Sequence, residues 1–245
     1  MNLEKKITEI KSRPNLEFGS IFNRSIELFK KIWVQGFIAL LLTFLTILPF
    51  YIILYIPMIA TGITDPYALE HDELPPMVTV AMGILSPIVI IGVSTFSLAI
   101  NAAFLRICRQ KDEEKDGIDD YFYFFREGRI GKVFILALYI MGVALLGMLA
   151  CGVGLFYVIV PLSLLPAFLA FSNELSAFGM VKASFILGNK NWLIIFLLVL
   201  VAGIVAELGL LLCCVGIFFT AMFSKVPAYF MYKDGVGFEE DTYLN

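Results

Sequence analysis

The sequence predicts an all-α polytopic membrane protein with about six transmembrane helices. They form three helical-hairpin repeats, each preceded by an interfacial amphipathic helix. Three observations carry that expectation. The 245-residue chain is 60% hydrophobic and only 16% charged, with a mean hydropathy of +0.88. A soluble domain is closer to 45–50% apolar and about 25% charged. Val34 to Ala60 contains no charged residue, and it outlasts the ~20 residues that cross a bilayer. Finally, Lys and Arg are missing from the stretches 61–76, 150–154 and 210–216, which separate paired apolar runs.

Met1–Pro14 reads as a solvated basic tail carrying Lys5, Lys6, Lys11 and Arg13, and not as a signal peptide. Phe18–Trp33 is the first amphipathic helix. At about 100° per residue, Phe18, Ile21, Phe22, Ile26, Leu28, Phe29, Ile32 and Trp33 share one arc. Glu17, Asn23, Arg24, Glu27, Lys30 and Lys31 take the other. Such a helix is expected to lie in the membrane surface, with Phe18, Phe22, Phe29 and Trp33 as anchors, and to turn into the bilayer at Trp33 instead of running on as one rod.

Span one then covers about 34–60 and span two about 77–107, across an acidic loop holding Asp65, Glu70, His71, Asp72 and Glu73. The aromatic stretch Ile118–Glu127 predicts a second interfacial helix, broken by Gly128 and Gly131. Spans three and four, about 133–150 and 154–171, meet at a very short turn. Asn173–Asn191 is the third helix of the interfacial kind, but with apolar residues on several sides. Trp192, a further interfacial anchor, opens span five (192–210), and span six covers 216–232. By the positive-inside rule both termini and all three amphipathic helices are expected in the cytoplasm.

The spans carry an internal repeat. Gly92, Gly154 and Gly216 are spaced by 62 residues, as are Asn101, Ser163 and Lys225. With slippage, Ala102-Ala103-Phe104, Pro166-Ala167-Phe168 and Pro227-Ala228-Tyr229 align. Within one integral membrane domain, 1–245, the units are 17–110, 118–172 and 173–233. Each enters and leaves on the same side, as parallel repeats do.

The run Leu175 to Trp192 carries Lys182, Ser184, Leu187, Asn189, Lys190 and Asn191, with Pro166-Ala167-Phe168 before it. It resembles the membrane domain that accompanies some glycerophosphodiester phosphodiesterases, and its stand-alone YciC-like relatives. Ser20–Trp33 resembles the N-terminal start of that family. The resemblance implies a multi-span bacterial inner-membrane protein and little chemistry. The chain has no room for the soluble phosphodiesterase domain, so that activity is not carried over.

Several residues invite a chemical reading. His71 with its acidic neighbours could hold a cation, but one histidine is not a metal triad and such a loop is commonly just solvated. Cys151, Cys213 and Cys214, near outer turns, read as small apolar residues more readily than as a redox set. Gly142, Gly147, Gly203 and Gly209, with Ala202 and Ala206, read as close-packing positions. Two intramembrane charges remain. Glu207 lies about 22 Å beyond Trp192, and Lys225 about 12 Å before Lys233, at the helical rise. Each is either a functional charge or a side chain snorkelling to the nearest headgroups. If the repeat holds, Asn101, Ser163 and Lys225 form one polar cluster at one depth. No metal, no cofactor and no enzyme motif are expected. The net charge of −3 excludes nucleic acid as a partner. The partners expected are membrane lipids and an unidentified membrane protein. The function expected is accessory or lipid-interacting, in the bacterial inner membrane, the alternative being a small transporter or channel.

Overall fold

In the computed structural model, residues 3–62, 74–115, 117–126, 128–149, 152–211 and 216–238 are described. The acidic loop around His71, and Cys151, Cys213 and Cys214, lie outside them. Among the described residues the secondary structure is all helical: α1 (Leu3–Ser12), α2 (Phe18–Ala60), α3 (Pro76–Asp112), α4 (Ile130–Leu149), α5 (Val153–Phe171), α6 (Ala177–Lys190), α7 (Trp192–Glu207), α8 (Ile217–Thr220) and α9 (Val226–Gly235). Short 3₁₀ turns occupy Tyr123–Phe125, Leu208–Leu211 and Ala221–Lys225.

Four helices, α2 to α5, are long and apolar enough to cross a membrane, and α6 with α7 makes a fifth candidate bent by 96°. Burial runs opposite to that of a soluble protein. Phe44, Leu45, Ile52, Ile59, Ile84 and Ile88 are all more than 60% exposed, where a water-soluble fold would hide them. Lipid tails are the solvent such a surface needs. The chain is built as an integral membrane protein.

The core lies where the second helices of the hairpins meet. Half of the apolar window of α5 is inside the bundle, against 6% of that of α2, so α5 is central and α2 peripheral. Helices α3, α5 and α9 pack on one another. There they bury Ala102, Ala103, Phe104, Ala167, Phe168, Ala228 and Tyr229, the triplets that align in the sequence. Glycine lets neighbouring segments approach closely at two places. A Cβ on Gly147 would stand 3.2 Å from the carbonyl carbon of Gly154, and one on Gly209 only 2.6 Å from that of Gly216. At Gly209 a side chain could not be added without a shift of backbone, and at Gly147 the neighbouring backbone would have to give by a few tenths of an ångström. Gly142 and Gly203 face open space instead, so the packing role expected of them is not theirs.

Four features differ from the sequence expectation. Helix α2 does not turn at Trp33: it is one helix of 43 residues, about 65 Å at the helical rise, twice the ~30 Å hydrocarbon thickness. No Gly–Pro pair interrupts it there. Its buried stripe, Ile21, Ser25, Leu28, Ile32, Gly36 and Ala39, runs unbroken across the junction because protein, not lipid, covers it. Where a second interfacial helix is expected, the described residues 118–126 hold a single 3₁₀ turn, Tyr123–Phe125. Asp120 Oδ1 accepts from the Phe122 amide at 3.1 Å, a local bond that competes with helix, and Tyr121 and Phe124 are pulled inward. The basic tail is folded: α1 buries Ile10 and Lys6 against α6. The sixth span is broken into α8, a 3₁₀ turn and α9.

Candidate functional site

The four aromatic anchors of α2 divide. Phe18 stacks on Phe22, and Phe22 and Phe29 meet the ring of Phe223 edge-on at 6.1 and 5.4 Å. Phe223 itself is buried in the broken span. These three rings therefore fasten α2 to that span, and Trp33, 44% exposed, faces outward. Trp192 stacks on Phe196 and donates from Nε1 to the Tyr157 carbonyl at 3.2 Å.

The residues spaced by 62 do not bond one another. The Asn101 amide donates to Ser97 Oγ at 3.3 Å and Ser163 Oγ to the Val160 carbonyl at 2.7 Å, each within its own helix. Lys225 is exposed at the end of the 3₁₀ turn. Glu207 is exposed as the last residue of α7. A polar cluster of Asn101, Ser163 and Lys225 is not joined by any hydrogen bond among the described residues.

Charge gathers instead where the N-terminal part of α2 meets the C-terminal ends of α3 and α9. Arg24 grips the carboxylate of Asp234 with two nitrogens, and Arg13 donates to the Lys233 and Asp234 carbonyls at 3.3 and 3.2 Å. Lys233 and Tyr229 share Asp112 Oδ2. Arg109 pairs with Glu113 at 2.8 Å, and Lys115 adds a second contact at 3.0 Å. Burial would raise the Glu113 carboxyl, but the bonds from Arg109 and Lys115 outweigh it and hold it below the usual carboxylate range. Burial, then the Asp119 charge, pushes the Tyr121 phenol up, and its hydroxyl donates to the Gln35 carbonyl at 3.1 Å.

The elbow between α6 and α7 clasps the N-terminal segment. The Lys190 ammonium donates to the carbonyls of Ile10 (2.9 Å), Lys11 (3.2 Å) and Arg13, the unsatisfied acceptors at the end of α1. Asn191 Oδ1 accepts from the Leu16 amide at 2.9 Å. Ser184 donates to the Pro161 carbonyl, and a Cβ on Gly188 would meet the Pro161 backbone at 3.2 Å. The motif read as an elbow is thus a packing and clasping device.

A second group lies around Tyr123. The guanidinium carbons of Arg106 and Arg129 stand 3.8 and 4.2 Å from its ring centre, within cation–π range. Arg106 donates to the Ala170 carbonyl at 3.4 Å and Lys132 to that of Asn173. The Asn173 amide reaches the Tyr123 hydroxyl at 3.5 Å. The aromatic and cationic residues of this group were passed over in the sequence because they are scattered over 106–173. The only hint was the concentration of Arg and Lys between spans two and three. No group of three or more metal-binding side chains occurs among the described residues. No protein-family model, curated protein or solved structure matches the chain.

Proposed function

We propose that the chain is a non-enzymatic, lipid-interacting accessory protein of the bacterial inner membrane, with both termini in the cytoplasm. The observation that carries the reading is the pairing of an exposed apolar belt on α2–α5 with a charged, interlinked end. That end contains Arg13, Arg24, Arg109, Lys190 and Lys233. Lys and Arg on the cytoplasmic side is the usual arrangement. A three-unit repeat is supported by the two glycine pairs, Gly147–Gly154 and Gly209–Gly216, which are related by 62 residues and each bring one glycine close to the backbone of the other. Membership in the YciC-like membrane family is part of the same reading, supported by the elbow run 175–192.

The alternative, a small transporter or channel, is favoured by one observation: the broken sixth span, since discontinuous helices often frame transport sites. Lipid retention and ion flux separate the two. The purified protein should carry lipid through detergent washing and leave the ion permeability of liposomes unchanged. Flux above that of empty liposomes would favour the transporter, and loss of all lipid in mild detergent would overturn the lipid-interacting role.

A further inference from the structure

We propose that Arg106 and Lys132 form a binding site for a phosphate group presented at the membrane surface, the headgroup phosphate of an anionic lipid. The inference rests on the lipid-interacting reading above and names the ligand chemistry and the place. Arg106 stands near the inner end of α3 and Lys132 in the first turn of α4. They converge from two helices on the C-terminal end of α5 and the turn after it, Arg106 at the Ala170 carbonyl and Lys132 at the Asn173 carbonyl. The Tyr123 ring lies under the Arg106 guanidinium, and its hydroxyl accepts from the Asn173 amide. Both cations are half-buried, so each is held in place yet reachable.

Capping the end of α5 accounts for part of this arrangement, because cations favour helix C-termini. It does not use up the donors. A guanidinium has five N–H groups and an ammonium three, and each side chain gives one bond to a carbonyl. Among the described residues neither Arg106 nor Lys132 is in an ion pair, whereas Arg24, Arg109, Lys111, Lys115, Arg126 and Lys233 all are. The charges that act on Arg106 include the cations Arg129 and Arg109 and the acid Asp120. Asp120 is itself paired with Arg126 at 3.5 Å. Arg129 has other partners, and the site does not depend on it. Two half-buried cations without carboxylate partners among the described residues, at the end of the bundle where charge gathers, match an anion with several acceptor oxygens.

The test compares the wild type, Arg106→Gln with Lys132→Gln, and a control losing the same charge, Lys30→Gln with Lys31→Gln. Lys30 and Lys31 are exposed and paired with Glu27 and Glu114. Binding of phosphatidylglycerol, phosphatidylethanolamine and inorganic phosphate is read by native mass spectrometry and by thermal shift. The site variant should bind phosphatidylglycerol on the order of tenfold more weakly, with the control near wild type. Equal loss in both variants, or no loss in the site variant, would overturn the site. Lipid retained by the wild type and kept by the site variant ends the site alone. Lipid absent from the wild type ends the broader reading too. Where the site variant fails to fold, amine-reactive footprinting of the wild type decides. Lys132 should be protected by phosphatidylglycerol while Lys30 stays reactive, and protection by no phosphate compound would refute the proposal. Protection by inorganic phosphate to the same degree would keep the phosphate chemistry and assign the ligand to solution instead of the bilayer.

Discussion

The phenol of Tyr229 donates to Oδ2 of Asp112 over 2.7 Å, joining the last turn of α3 to the middle of α9. The Lys233 ammonium takes the same oxygen. Tyr229 is wholly buried, so its hydroxyl has no water to fall back on. Asp112→Ala should therefore cost about 1–3 kcal/mol, because it strands a buried donor, and Tyr229→Phe about 1 kcal/mol, because it removes donor and need together. Thermal unfolding in detergent micelles measures both. Lys225→Met serves as the contrast: that lysine is exposed and makes no ion pair among the described residues, so its loss should leave the midpoint unchanged.

The Lys190 clasp predicts a local effect. Removing the ammonium frees three carbonyls, two in the last turn of α1 and one just after it, while Lys182, exposed on the same helix as Lys190, has no such task. Lys190→Met should loosen the segment before Phe18 and speed its proteolysis by about tenfold or more, from the 1.5–3 kcal/mol of hydrogen bonding to a charged group. Lys182→Met should not. Equal cleavage rates in the two variants would remove the clasp.

What the sequence could reveal depended on whether the residues that decide the structure are local. Apolar run lengths located α3, α4 and α5, and the C-terminal end of α2, within about five residues. The extent of α2 was not legible, since the arc of Phe18, Phe22 and Phe29 looks the same whether lipid or protein covers it. The covering group is Phe223, about 200 positions away. The helix expected at 118–127 failed for a local reason, the Asp120 turn, while its aromatics answered to distant partners such as Gln35 and Phe96. Asn101 and Ser163 lie inside α3 and α5. Lys225 ends the 3₁₀ turn Ala221–Lys225 and has a different local backbone, so equal spacing does not make equal surroundings. The group around Tyr123 was invisible because four separate segments build it.

The Phe223 contact carries its own prediction. One buried ring holds Phe22 and Phe29 of α2 at once. Phe223→Ala should cost about 3–5 kcal/mol, the range for a buried Phe, and Phe223→Leu considerably less. Paired Phe22→Glu and Phe29→Glu changes should be far more damaging than Asn23→Glu and Lys30→Glu, whose parent residues are exposed. Expression and unfolding midpoints of the four variants measure this.

Glu113 makes the stability of the charged end depend on pH. Its carboxyl sits below the usual range in the folded protein, so the unfolded chain binds its proton more readily. Its contribution is therefore fully present above the unfolded-state value and is lost as the pH falls through the lower folded-state value. Acidification across the carboxylate range should lower the unfolding midpoint of the wild type more steeply than that of Glu113→Gln. Parallel pH profiles for the two proteins would mean that the Arg109–Glu113–Lys115 contacts contribute nothing.

Topology is the last and most direct prediction. Lys115 belongs to the interlinked charged end through Glu113, and Thr61 caps the opposite end of α2, where its amide bonds the Met58 carbonyl. One helix of 43 residues separates the charged end from Thr61, with a stretch between them that is apolar and exposed. On the proposed orientation the two sites are expected on opposite sides of the bilayer. With the four native cysteines replaced by Ala, Thr61→Cys should react with an impermeant maleimide in intact cells, and Lys115→Cys should react only after lysis. Labelling of residue 115 from outside would invert the orientation. Labelling of both in intact cells would mean that α2 does not span the membrane at all.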